Sequence, residues 1–128
     1  MNEEFFFEGK HILGELYGID KNILNNLSLL EEAVRLGIRE SNTTSHGTLV
    51  KKFEPAGLTL ISLLSESHVS IHTYPEYNSL FLDAFTCGNH CNPKKIIDKI
   101  IDATNPSKVI LNEIIRGKKE YIERGNNL

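Results

Sequence analysis

The chain has only two cysteines, and no apolar run approaches the roughly 20 residues that a bilayer-spanning helix needs. Cys87 and Cys91 are too few for a disulfide scaffold, and in a reducing compartment they are expected to be free thiols. A basic stripe is missing too. The formal net charge is −3, with 14 Lys and Arg scattered among 17 Asp and Glu, so nothing is arrayed to displace phosphate counterions and nucleic acid is not an expected partner. Met1–Glu8 is acidic, and its apolar run is only three residues, unlike a signal peptide. No membrane partner is expected, and the expected compartment is the cytoplasm. Linkers, internal repeats and low-complexity segments are absent, and 128 residues with 40% hydrophobic content suit one domain around one core.

The patterns that are present alternate between strand and helix periods. His11–Tyr17 alternates loosely and ends at Gly18, a first strand. Asp20 can cap a helix whose apolar positions Ile23, Leu24, Leu27, Leu30, Ala33, Val34 and Ile38 recur at three and four, with Gly37 marking its end. Ser41–Thr44 reads as strand or loop, Thr48–Val50 as extended, and Glu54–Gly57 as a turn. Leu58–Leu64 and Val69–Tyr74 are strands joined by the polar tetrad Ser65–His68, read as a hairpin tip, and Leu80–Cys87 is a third strand after a turn at Pro75–Asn78. Asn92 and Pro93 open a second helix with Ile96, Ile97, Ile100 and Ile101 on one face, and Asn105–Pro106 closes it. Lys108–Ile115 reads as a last strand, and the charged tail beyond Arg116 reads as loose. Strands outnumber helices and follow one another by short turns. The expected fold is α+β, a two-layer sandwich of an antiparallel sheet with two helices on one face. A second copy is the economical cover for the other face, so a homodimer is expected.

The central stretch gathers hydroxyls, imidazoles, carboxylates and a thiol. His68 and His72 have the chelating spacing of a helix, but on a strand four residues span roughly 13 Å, too far for one ion. Cys87, His90 and Cys91 offer soft ligands without a second cluster, so no metal is expected. A Ser–His hydrolase centred on Ser67 would need a nucleophile elbow of the form Gly-x-Ser-x-Gly, and none occurs. Taken singly, Ser67 is most simply a turn serine, Cys87 a small core residue, Phe53 and Tyr74 core aromatics, and Glu76 a solvated acid.

Taken together, Ser65-Glu66-Ser67-His68-Val69-Ser70-Ile71-His72-Thr73-Tyr74-Pro75-Glu76, followed by Asp83-Ala84-Phe85-Thr86-Cys87-Gly88, resembles the small prokaryotic S-adenosylmethionine decarboxylases, which are made as proenzymes. Gly9–Gly18 and Phe53–Gly57 are similar to that family as well, and the resemblance runs in register from about Gly9 to Arg116. It implies that Ser67 attacks the Glu66 carbonyl, turning the peptide into an ester, and that β-elimination follows with His72 as base. The products would be residues 1–66 and 67–128, the second opening on a pyruvoyl group formed from Ser67. That covalent cofactor would form a Schiff base with S-adenosylmethionine and act as electron sink for decarboxylation, giving the aminopropyl donor for spermidine. Cys87, twenty residues beyond Ser67, would protonate the product carbon. The resemblance further assigns Phe53 and Tyr74 to the adenine, Glu76 to the ribose hydroxyls, and to Thr59 an assisting role in processing, where relatives commonly have serine. Two alternatives are a relative retooled for arginine or ornithine, and an unprocessed regulatory homologue.

Overall fold

The computed structural model describes residues 8–117, so the expectations for the acidic start up to Phe7 and for the charged tail lie outside the described residues. The element order is β1 (Gly9–Tyr17), α1 (Lys21–Leu24), α2 (Leu27–Glu40), β2 (Ser45–Lys52), β3 (Leu58–Leu64), β4 (Ser67–Tyr74), β5 (Ser79–Cys87), α3 (Pro93–Thr104) and β6 (Lys108–Arg116). The strands form one sheet in the order β2-β3-β4-β5-β1-β6, and every neighbouring pair is antiparallel. This is the expected two-layer α+β sandwich, with the one-turn helix α1 added.

Strand alternation decides which side of the sheet is covered. Leu58, Leu60 and Leu64 of β3, Val69 and Ile71 of β4, Leu80, Leu82 and Ala84 of β5, and Ile12 and Leu16 of β1 are buried beneath the helices. Leu30, Ala33, Val34 and Ile38 of α2 close that core together with Ile96, Ile97 and Ile100 of α3. The opposite face is bare. Leu49 is 78% and Leu63 61% exposed there, and Leu13, Ile61, Phe81 and Ile114 remain more than a third open. No described helix is long and apolar enough to cross a membrane.

Several local expectations are corrected. The single helix from Asp20 is two helices, because the Asn26 side chain accepts from Leu29 N–H and starts α2 afresh after the Asp20-capped turn. Gly37 does not end that helix, which runs to Glu40. A Cβ at Gly37 would come within 2.7 Å of Ile96 Cα, so this glycine lets α2 and α3 approach closely. The hairpin tip is narrower than the tetrad Ser65–His68. Leu64 pairs with Ser67, so the turn is Ser65–Glu66 alone, and Ser67 and His68 already belong to β4. As the sequence predicts, Asn92 caps α3 with Pro93 in its first turn and the helix closes at Asn105, which takes up the left-handed conformation.

Candidate active site

Glu66 is held at φ 56, in the left-handed region where a residue with a Cβ pays about 1–2 kcal/mol. Three contacts hold the turn there. Ser65 N–H donates to the Thr44 carbonyl at 3.1 Å. Ser65 Oγ lies 2.8 Å from His46 Nε2. The Cys87 thiol donates to the Glu66 carbonyl oxygen at 3.3 Å. His46 is the extra residue of a bulge in β2, where Ser45 pairs with Leu64 and Gly47 with Leu63, and bulges re-aim side chains in this way. Ser67 is buried, and its hydroxyl has no hydrogen-bond partner. The Glu66–Ser67 peptide is thus flanked by a thiol on its carbonyl oxygen and by an unengaged hydroxyl one residue on.

A second group gathers at the other end of β4. His72 pairs across the ladder with Thr59, and Thr59 Oγ1 lies 3.1 Å from His72 Nδ1. A cavity of about 400 Å³ is lined by Phe53, Thr59, His72, Tyr74 and Glu76, among others. That volume falls within the ordinary range of small-molecule sites. Five predicted residues therefore share one cavity. His72 also lines a neighbouring cavity of about 400 Å³ with Glu15, Ser70, Phe81 and Asp83. Cavities of about 560 and 610 Å³ flank α2 on the helix side and touch none of the predicted residues, so chemistry rather than volume identifies the site.

The two groups do not meet within one chain. Ser67 and His72 are five residues apart on β4, about 17 Å at about 3.3–3.4 Å per residue. Ser67, Glu66 and Cys87 form one half of the predicted constellation, and the His72 cavity forms the other.

Between them, on the bare face, lies a cluster that the sequence reading left without a role. Asp83 Oδ2 accepts from His11 Nε2 at 2.7 Å and from His68 Nε2 at 2.8 Å, and Ser70 Oγ donates to Asp83 Oδ1. Burial pushes the Asp83 carboxyl up, but the hydrogen bonds from Ser70, His11 and His68 and the charge of His68 outweigh it and hold the group below its usual 3.8. The three ligand-type atoms of His11, His68 and Asp83 lie within 4.8 Å of one another, a grouping the sequence did not reveal. Arg116 can only donate, and its Nη1 lies 3.4 Å from His11 Nδ1, so the His11 proton sits on Nε2 toward Asp83. That tautomer turns the His11 Nε2–H toward Asp83, and the cluster as it stands is a hydrogen-bonded network. Its signal was the register alone: β1 returns beside β5 and sets His11 opposite Phe85, two rungs from Asp83.

The electrostatics at Cys87 favour the neutral thiol. Burial raises its pKa above the usual 9.0, the charges of Glu66 and Cys91 add to this, and Arg116 opposes them. A thiol so placed can hold a proton at neutral pH and donate it.

The family model described as S-adenosylmethionine decarboxylase matches residues 10–117. The S-adenosylmethionine decarboxylase proenzyme 2 of Bacillus cereus is 37% identical over 119 residues, covering 93% of this chain and 97% of that one. The S-adenosylmethionine decarboxylase proenzyme of Methanococcus aeolicus is 38% identical over 109 residues, 85% of this chain and 93% of its own. Among solved structures, the adenosylmethionine decarboxylase of Aquifex aeolicus superimposes with a TM-score of 0.81 at 30% identity, covering 94% of this chain and all of that one.

Proposed function

This chain belongs to the S-adenosylmethionine decarboxylase family, and from that premise we propose that it is a proenzyme that cuts its own Glu66–Ser67 bond and then decarboxylates S-adenosylmethionine. The observation that carries the reading is the Cys87 contact: the thiol expected to protonate the product rests on the carbonyl of the bond expected to break.

Each step has a residue suited to it. Ser67 Oγ attacks the Glu66 carbonyl carbon, and the Cys87 S–H stabilises the charge that grows on the oxygen. The hydroxyl proton ends on the Ser67 nitrogen as the C–N bond breaks, leaving an ester and a free amine. The left-handed Glu66 backbone favours this departure, because opening the turn relieves it. A base then takes the Ser67 Cα proton, and the Glu66 carboxylate leaves with the former hydroxyl oxygen. His72 fits that role when its Nδ1–H donates to Thr59 Oγ1 and its Nε2 keeps a lone pair. Water then replaces the nitrogen of the dehydroalanine, releasing ammonia and leaving chains 1–66 and 67–128. The pyruvoyl group at residue 67 supplies a carbonyl electron sink when an α-amino acid loses carbon dioxide, the carboxy-lyase chemistry of the family. Cys87, held protonated, delivers the proton to the carbon left behind.

The two half-sites are joined by a second copy. His72 of the same chain lies about 17 Å from Ser67, whereas an isologous pairing of two bare faces, centred near Ser70 and Asp83, would lay the partner's His72 over Cys87 and the backbone of Ser67, whose side chain points to the helix side. The same pairing covers Leu49, Leu63 and Ile61. Each homodimer would then hold two sites, with Ser67 and Cys87 from one protomer and Thr59, His72, Phe53, Tyr74 and Glu76 from the other. Phe53 and Tyr74 line the cavity that takes the adenine, and Glu76 accepts from the ribose hydroxyls. Arginine or ornithine as substrate is not favoured, since neither needs that aromatic cavity and the relatives are named for S-adenosylmethionine.

Intact mass of freshly purified protein tests the reading. Two fragments are expected, the second lighter by one ammonia than a serine-terminated peptide, and Ser67→Ala is expected to give a single chain. Full decarboxylase activity from an uncut chain would overturn it.

A further inference from the structure

Among the described residues, two buried side-chain oxygens have no hydrogen-bond partner, Ser67 Oγ and Thr86 Oγ1. Ser67 is 8% exposed and Thr86 1%. Buried hydroxyls without partners are rare, and each one calls for a reason. The register supplies a common one. β4 and β5 are antiparallel, with Val69 opposite Ala84 and His68 opposite Phe85, so the next rung sets Ser67 opposite Thr86. Directly opposed residues point to the same face with Cβ atoms about 4.5–5.5 Å apart, within reach of two hydroxyls after a rotamer change. The following residue, Cys87, points to the other face and holds the Glu66 carbonyl oxygen. Successive positions of β5 thus address the two reacting partners from opposite sides of the sheet.

We propose that Thr86 is a positioning residue for self-cleavage: its Oγ1 accepts the Ser67 O–H and turns the Ser67 oxygen lone pair toward the Glu66 carbonyl carbon. The inference rests on the self-cleavage reading above. No bond of Thr86 forms or breaks. As the Ser67 oxygen bonds to the Glu66 carbon, its proton transfers to the departing Ser67 nitrogen, and Thr86 only holds the hydroxyl in line until then. A purely structural threonine predicts something different. In the Ser67→Ala chain Thr86 Oγ1 has no partner, and valine has nearly the same volume, so Thr86→Val should not destabilise that fold.

The test follows cleavage by intact mass against time in the wild type, Thr86→Val and Thr86→Ser, all as full-length chains. Melting temperatures are measured with the same changes in the uncleavable Ser67→Ala chain. Thr86→Val is expected to cleave about tenfold more slowly, the worth of one hydrogen bond to the attacking group. Its melting temperature should be no lower, and Thr86→Ser should restore most of the rate. Wild-type cleavage kinetics in Thr86→Val would overturn the inference. So would a slowing matched by a lower melting temperature and not restored by serine. A wild-type chain that never cuts at Glu66–Ser67 would remove the self-cleavage reading itself, and this inference with it.

Discussion

Replacing Cys87 separates two roles that one thiol is asked to fill. Before cleavage it donates to the Glu66 carbonyl at 3.3 Å, and losing one such bond costs about 1 kcal/mol, or about fivefold in rate. After cleavage it is the proposed proton source for the decarboxylated carbon, and a positioned general acid contributes about 10²–10⁴-fold. Cys87→Ala should therefore still cut, several-fold more slowly, and lose at least two orders of magnitude in turnover per cleaved chain. Cys87→Ser keeps a donor for the carbonyl and should cut at near the normal rate. A hydroxyl is a much weaker acid than a thiol, so its turnover should stay low. The pH dependence follows from the protonated form being the active one. Burial raises the thiol, Glu66 and Cys91 raise it further and Arg116 opposes them, so the acid form persists through neutral pH. Turnover should stay flat there and fall only as pH climbs past a value above the usual 9.0. Cleavage is read by mass spectrometry against time, and turnover by carbon dioxide release normalised to pyruvoyl content. Normal turnover in cleaved Cys87→Ala would refute the proton-donor role. Unchanged cleavage kinetics there would refute the role assigned to the 3.3 Å contact.

Two further outcomes follow from the same geometry. Ser67→Ala and His72→Ala chains should each be inactive as homodimers, while co-expressed they should form mixed dimers with one complete site and regain cleavage of the His72→Ala chain; absence of rescue would place the base within the protomer. Asp83→Asn removes the charge that accepts from His11, His68 and Ser70, and hydrogen bonds to a charged group argue for a loss of about 2 kcal/mol, or about 6–10 °C in melting temperature at neutral pH. Because the Asp83 carboxyl is held below 3.8 in the fold, its contribution is complete above that value and lost as pH falls through the lower folded value. Wild type and Asp83→Asn melting temperatures should therefore converge in acid, and a constant gap would contradict the assignment.

How much of this was legible in the sequence depended on the range of the forces involved. Strands β3, β4 and β5 announced themselves through alternation and short turns, and Asn92–Pro93 announced α3, because those signals lie within a few residues. The break at Asn26 was missed because the apolar spacing continues across it, whereas the cap that resets the helix is a single side chain. Gly37 was misread for a related reason: a glycine near a helix end looks the same whether it caps the helix or admits Ile96 of α3, and α3 lies far along the chain. The Asp83 network depends on β1 returning beside β5, a crossover that no local pattern encodes. The motif singled out Ser67, His72 and Cys87 by resemblance, but strand geometry sets Ser67 and His72 about 17 Å apart within one chain.

The departures from ordinary protein chemistry concentrate at one end of β4. Glu66 sits in a backbone region that suits glycine, and glycine there would remove the cost. Ser67 and Thr86 are buried hydroxyls without partners, and alanine and valine would bury more cheaply. A thiol occupies the carbonyl oxygen of the strained residue, where a backbone N–H would make a stronger bond. Any one of these could be an accident of packing, but the four meet where the β3–β4 turn joins the facing ends of β4 and β5, around a single peptide bond. Elsewhere the chain follows local rules closely: Asp20, Asn26 and Asn92 cap their helices, and Leu16, Leu30, Leu60 and Ile97 are fully buried. Among the described residues, the two buried side-chain oxygens without partners both lie beside Glu66–Ser67, and under the proposed self-cleavage breaking that bond is the event that relieves the cost.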